Sequence, residues 1–177
     1  MALRFPGFRE GRVANKSSQP QPWHIDGLQG LKAGKGLFDF DVLVGVLLSD
    51  IDTEMSGELC YFRGSHFVLT EFLRDGGLEK LRSGGGLRKW VDAEQAFPLG
   101  VARCLGKAGD VFLAHRCTAH FISPNSSPNI RYAVYFRVKG PHPMGESELD
   151  VREFMLHPFH HWPSMRGLVD LHEDDGN

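Results

Sequence analysis

The residues best suited to chemistry are a histidine and an aspartate two positions apart, His24 and Asp26 in the stretch WHIDG. On a strand, residues i and i+2 point to the same side of the backbone. The pair can then offer an imidazole nitrogen and a carboxylate oxygen to one ion. Spacing alone does not separate it from a second triplet, His172-Glu173-Asp174, and with nine histidines in the chain one chance His-x-Asp is unremarkable.

A metal needs further ligands, so the test is what lies downstream. The candidates are His66, His115, His120 and the histidines of the tail. His120 follows a strand-like run that opens at the Gly109-Asp110 turn, and Arg131 stands eleven residues beyond it in another strand-like run. A hairpin between these two segments is expected to bring Arg131 near the cavity of His120. Two imidazoles and one carboxylate on one face leave positions open on a six-coordinate ion, the arrangement of non-haem Fe(II) oxygenases. A buried arginine beside such an ion could hold a carboxylate bidentately, which suggests a keto-acid co-substrate.

The other histidines read differently. His115 is five positions before His120, and on a regular strand an odd offset puts the two on opposite faces. It reads as a packing residue or a support for the ligands. His66, in a Gly-Ser-His turn, reads as a structural hydrogen-bonding residue, and Arg137 as an ordinary strand arginine. His172 and Asp174 lie within six residues of the end in an acidic tail, with no downstream histidine or arginine to complete a site. The set His157, His160 and His161 lacks an ordered partner set.

The elements that must position these residues are mostly short strands. DVLVGVLL (41–48) is apolar and β-branched, and GELCYF (57–62), VARCLG (101–106) and DVFLAH (110–115) are bounded by turn residues. In NIRYAVYFRV (129–138), Ile130, Tyr132, Val134 and Phe136 alternate with Arg131, Ala133, Tyr135 and Arg137, the period of a strand. Strands at turn-marked intervals argue for an all-β sandwich, barrel or jelly roll. One helical insertion starts at Val68, with Leu69, Phe72 and Leu73 at helix spacing, and breaks at Gly76-Gly77. Leu78, Leu81 and Leu87 continue it as a second short helix or loop. In the tail, Phe154, Met155, Leu156, Phe159 and Trp162 suit a short helix docked on the barrel, and the end from about residue 170 reads as frayed.

Composition sets the bounds. A chain of 177 residues with 41% hydrophobic and 24% charged content is read as one soluble globular domain, 1–177. A formal charge of −2 argues against a nucleic-acid or anionic-membrane binder. No apolar run approaches the roughly 20 residues that span a bilayer. The first residues lack the apolar core of a secretory signal. Cys60, Cys104 and Cys117 lack zinc-site spacing and read as buried thiols of a reducing compartment, hence a cytoplasmic location. The glycine run at Ser83–Gly86 has no Lys-Ser/Thr after it, so it is not a phosphate loop.

Taken in order, these pieces resemble the phytanoyl-CoA dioxygenase family of Fe(II)/2-oxoglutarate oxygenases, from about Trp23 to Arg137. The family pattern has W-H-x-D, then N/S-G-x-L-x-x-x-P-G-S/T-H, then G-D-x-x-x-x-H-x-x-x-x-H with an Asn and an Arg after it. Here these read WHIDG, SGELCYFRGSH (56–66) and GDVFLAHRCTAHFISPN (109–125), followed by Arg131. Two departures stand out. Arg63 replaces the proline, and only 23 residues precede His24, where family members carry helices and a strand.

The resemblance implies a double-stranded β-helix, a cupin-like jelly roll with minor helices. It implies Fe(II) at His24, Asp26 and His120, and the distal carboxylate of 2-oxoglutarate on Arg131, with Asn125 either lining the site or holding the SPNSSPN loop. The implied reaction consumes dioxygen, decarboxylates 2-oxoglutarate to succinate and carbon dioxide, and hydroxylates a small organic substrate, with ascorbate in support. Halogenating relatives lack the carboxylate present here as Asp26, which favours hydroxylation. The alternatives are a non-catalytic or metal-only jelly-roll binding module, and a zinc-dependent cupin-like enzyme that needs no dioxygen.

Overall fold

The run 41–48 forms β4 (Val42–Leu47), since β-branched side chains suit a pleated surface buried on one side. It lies inside a four-stranded antiparallel sheet of order β1-β9-β4-β7, with β1 at Ala2–Arg4, β9 at Arg131–Val138 and β7 at Val111–His115. In the computed structural model, residues 2–6, 8–9, 12–13, 22–26, 40–83 and 86–139 are described. The expectations placed on the tail, including the docked helix, His157/His160/His161 and His172-Glu173-Asp174, lie outside them.

A second sheet has β5 (Leu59–Phe62) between β6 (Val101–Arg103) and β8 (His120–Ile122). An antiparallel bridge from His24 to His120 adds the WHIDG stretch beyond β8. After β4 the chain passes to β5 and β6, returns to the first sheet for β7, crosses to β8 and returns for β9. Alternation of this kind between two antiparallel sheets is the connectivity of a jelly roll, the fold class expected from the sequence. A small hairpin, β2 (Phe8–Arg9) with β3 (Arg12–Val13), stands apart from both sheets.

The inner face of the four-stranded sheet depends on one glycine. Gly45 is paired with Phe112 on β7 and Tyr135 on β9. The two rings approach edge to face over it, centroids 5.9 Å apart. A Cβ on Gly45 would lie 1.9 Å from Phe112 Cζ, so the close approach requires the missing side chain. Leu47, Ile51 and Ala133 complete this small core.

Against the outer face of the three-stranded sheet lies the helical insertion. Helix α1 (Ser65–Phe72) begins three residues before the expected Val68, because Gly64 in the left-handed region (φ 70°) turns the chain into it. Gly76 (φ 85°) breaks the helix within the Leu73–Gly77 turn, and α2 (Leu78–Arg82) follows. A 3-10 turn at Leu87–Lys89 leads to α3 (Ala93–Ala96), whose Asp92 cap accepts from Glu94 N at 3.0 Å. Ile25, Leu69, Leu73, Leu81, Phe97 and Cys117 bury one contiguous apolar cluster between these turns and the sheet.

One topological expectation is corrected. β8 and β9 do not form a hairpin: β8 pairs with β5, whereas β9 pairs with β1 and β4. Residues 123–130 carry the chain from one sheet to the other, and the closed roll, not a local turn, sets Arg131 relative to His120. Cys60, Cys104 and Cys117 are free thiols. Burial raises Cys60 and Cys104 to about 11, so both stay protonated and unreactive at neutral pH. Among the described residues no helix is long and apolar enough to cross a membrane.

Candidate active site

The site is built from one cross-strand pair. His24 N donates to His120 O and His120 N to His24 O, both at 2.9 Å. Residues exchanging both backbone bonds are direct neighbours whose side chains share a face. The two imidazole centroids are accordingly 4.6 Å apart. Asp26, two residues on from His24, returns to the same face, and Ile25 between them points into the apolar cluster on the other side. The three side chains place one donor atom each within 4.8 Å of one another.

Neighbouring carbonyls select the ring nitrogens. His120 Nδ1 lies 2.8 Å from Thr118 O, and His24 Nδ1 lies 3.3 Å from Pro22 O. A carbonyl only accepts, so both Nδ1 atoms carry the proton and each Nε2 presents its lone pair. His24 Nε2 faces Asp26 Oδ1 at 3.6 Å. Burial lowers the pKa of His120, which keeps the ring neutral and able to ligate. Two neutral Nε2 atoms and a carboxylate on one side fit a divalent ion that keeps several positions open.

Asp26 is held from its other oxygen. Arg137 Nη2 donates to Asp26 Oδ2 at 2.7 Å, leaving Oδ1 turned toward His24. This role was not legible in the sequence, where Arg137 looked like its neighbours on the strand. The only available signal was its phase: Arg131, Ala133, Tyr135 and Arg137 share a face, and that face points inward. Tyr135 and Arg137 line a cavity of about 320 Å³ together with His24, Asp26, His120, Leu43 and Leu59.

Arg131 is 4% exposed and reaches the cavity wall indirectly, Nη1 lying 3.3 Å from the Tyr135 hydroxyl. Asn125, fully buried, is committed elsewhere. Its amide nitrogen donates to Arg4 O and Asn129 O, each at 2.8 Å, and its oxygen accepts from Ser127 N and Oγ. With every polar atom engaged, it holds the 123–130 crossover and β1 and has nothing to offer a co-substrate. Of the two roles expected for Asn125, the geometry fits the loop.

The Gly-Ser-His turn positions the site from a distance. Ser65 Oγ donates to Phe62 O at 2.7 Å and accepts from Ala119 N at 2.9 Å, which ties α1 to the residue before His120. Arg63, where the family pattern has proline, donates Nε to Leu99 O at 2.8 Å. His66 lies away from the triad, against His115 with centroids 5.4 Å apart. His115 ends β7, in the opposite sheet to His120, so a change of sheet and not strand phase separates these two histidines. Burial, then the Arg116 charge, lowers His115 to about 3, and its Nδ1 accepts from Cys117 N at 3.0 Å.

Neither a protein-family model nor a curated protein matches this sequence. Solved structures do. One is the non-haem alpha-ketoglutarate-dependent carbocyclase SnoK from nogalamycin biosynthesis, with TM-score 0.44 and 20% identity, over 77% of this chain and 46% of that one. EvdO2 from Micromonospora carbonacea var. aurantiaca, complexed with 2-oxoglutarate, gives 0.43 and 21% over 80% and 53%. The non-haem monooxygenase ThoJ, as a nickel complex, gives 0.41 and 19% over 96% and 63%. The chain spans about half the length of the first two.

Proposed function

We propose that this chain is an Fe(II)- and 2-oxoglutarate-dependent oxygenase of the phytanoyl-CoA dioxygenase type that hydroxylates a small organic molecule. The observation that carries the reading is the His24–His120 cross-strand pair with Asp26, two Nε2 lone pairs and one carboxylate oxygen gathered at one wall of a cavity. When bound, the iron would supply dioxygen activation coupled to decarboxylation of the keto acid.

The chain's own residues do the rest. His24, Asp26 and His120 would hold the ion from one side and leave the cavity side to ligands. Arg137 orients Asp26 by engaging its outer oxygen. Arg131 supplies a buried cation for the distal carboxylate of 2-oxoglutarate, across the wall formed by Tyr135. Leu43, Leu59 and Ile122 make the cavity apolar beside the triad, which favours a hydrocarbon portion of the substrate over water.

The test is anaerobic addition of Fe(II) and 2-oxoglutarate, followed by dioxygen. A visible charge-transfer band and then succinate are expected. His24→Ala should weaken Fe(II) binding by about tenfold or more and abolish the band. A band that never appears in the wild-type protein sinks the reading and leaves a metal-only binding module; full iron affinity in His24→Ala sinks the ligand assignment.

A further inference from the structure

The edge of the four-stranded sheet places two arginines side by side. Arg4 on β1 is the direct cross-strand partner of Arg131 on β9. Like charges directly opposite one another disfavour a strand pair. Burial, and then the charge of Arg131, lowers the pKa of Arg4.

Carboxylates accompany the other arginines of the interior and the cavity. Arg116 lies 3.6 Å from Asp41, Arg103 holds the buried Glu58, and Arg137 holds Asp26. Arg4 and Arg131 form no ion pair among the described residues. Arg4 Nε and Nη2 and Arg131 Nε are buried without a hydrogen-bond partner. Buried guanidinium donors left unpaired are costly, and two such groups on directly paired residues compound the cost.

Local structure holds Arg4 in this position. Its carbonyl accepts from Asn125 Nδ2 at 2.8 Å. Its stem crosses Gly57, where an added Cβ would come within 2.8 Å of Arg4 Cγ. Strand alternation turns Leu3 outward and Ala2 inward to the cavity, and so puts Arg4 on the inner side with Arg131. Tyr135, bonded to Arg131, connects these guanidinium groups to the cavity that carries the histidines.

We propose that Arg4 and Arg131 together form a two-arginine receptor for a carboxylate, so that the site selects a dicarboxylate co-substrate over a 2-oxo acid with a single carboxylate. Assigning that carboxylate to the far end of 2-oxoglutarate rests on the functional reading above; the anion receptor rests on the unpaired donors alone. Arg131 is the expected clamp, and Arg4 adds to it from a strand the sequence did not reveal.

The experiment has two arms. In the metal-free protein, glutarate should raise the melting temperature and butyrate should not. The glutarate effect should be largely lost in Arg4→Gln and in Arg131→Gln and partly kept in Arg4→Lys. With Fe(II) under anaerobic conditions, Arg4→Gln should bind 2-oxoglutarate about tenfold or more weakly, bind 2-oxobutyrate as the wild type does, and keep its Fe(II) affinity. Equal stabilisation of the wild-type protein by glutarate and butyrate overturns the receptor without recourse to any variant. A normal charge-transfer band with unchanged 2-oxoglutarate affinity in Arg4→Gln overturns the role of Arg4 and leaves the oxygenase reading standing. Glutarate stabilisation without any band in the wild type does the reverse.

Discussion

The two sheets carry different parts of the site and are supported differently. The sheet bearing His24, Asp26 and His120 has its outer face under the helical insertion, where Leu69 is fully buried and Ile25 nearly so. The outer face of the sheet bearing Arg4 and Arg131 is more exposed. Leu3, Val111, Leu113, Tyr132 and Phe136 are 38–72% exposed there, and among the described residues its inner cluster is Leu47, Ile51 and Ala133 with two aromatic rings. His24, Asp26 and His120 therefore sit on the side with packing on both faces, where small displacements are resisted. Arg4 and Arg131 sit on the side held by strand pairing and by Gly45.

This contrast can be tested by substitution. Leu69→Ala, in the covered half, should cost about 2–5 kcal/mol in denaturant unfolding. A loss below 1 kcal/mol would mean that the insertion does not brace the small sheet. Gly45→Ala, in the more exposed half, should cost about 1–3 kcal/mol, because the new methyl displaces Phe112 and with it Tyr135. It should weaken 2-oxoglutarate binding more than Fe(II) binding; the opposite order would contradict the division of labour between the sheets.

Acid should act through the boundary between the halves, where His115 packs against His66 and near Arg116 and Asp41. Its folded pKa of about 3 lies below the ordinary 6.5. In that window the unfolded chain binds a proton that the folded chain does not, so stability falls as pH drops below about 6.5 and is level above it. His115→Asn should flatten the slope of unfolding midpoint against pH between 4 and 6.5, and an unchanged slope would assign the effect elsewhere. The smallest effect is expected at Leu113, 72% exposed. Leu113→Thr should change stability by no more than about 0.5 kcal/mol. A loss near 2 kcal/mol would show that something covers this face in solution.

Much of the site was legible because its spacing is local. Two residues on one strand share a face whatever the fold, so His24 and Asp26 could be paired by counting. The strands at 42–47, 59–62, 101–103, 111–115 and 131–138 were readable from apolar runs between turn residues. β1 and β8 were not, since neither stands in an apolar run bounded by turn residues on both sides. Arg137 was missed for another reason: an arginine on a strand looks the same whether its head meets solvent or a carboxylate.

By itself, then, the sequence determined the strand-rich roll, the i, i+2 pair of His24 and Asp26 and the candidates that could join it. The tertiary structure decided which candidates meet. His120 joins His24 through a backbone bridge between segments about a hundred residues apart. His115, five residues from His120, goes to the other sheet. Asn125 spends its hydrogen bonds on a crossover, and Arg4 comes to rest beside Arg131. Each of these outcomes depends on pairing between distant strands, and strand pairing is set by which faces can be buried together, which no local window of sequence contains.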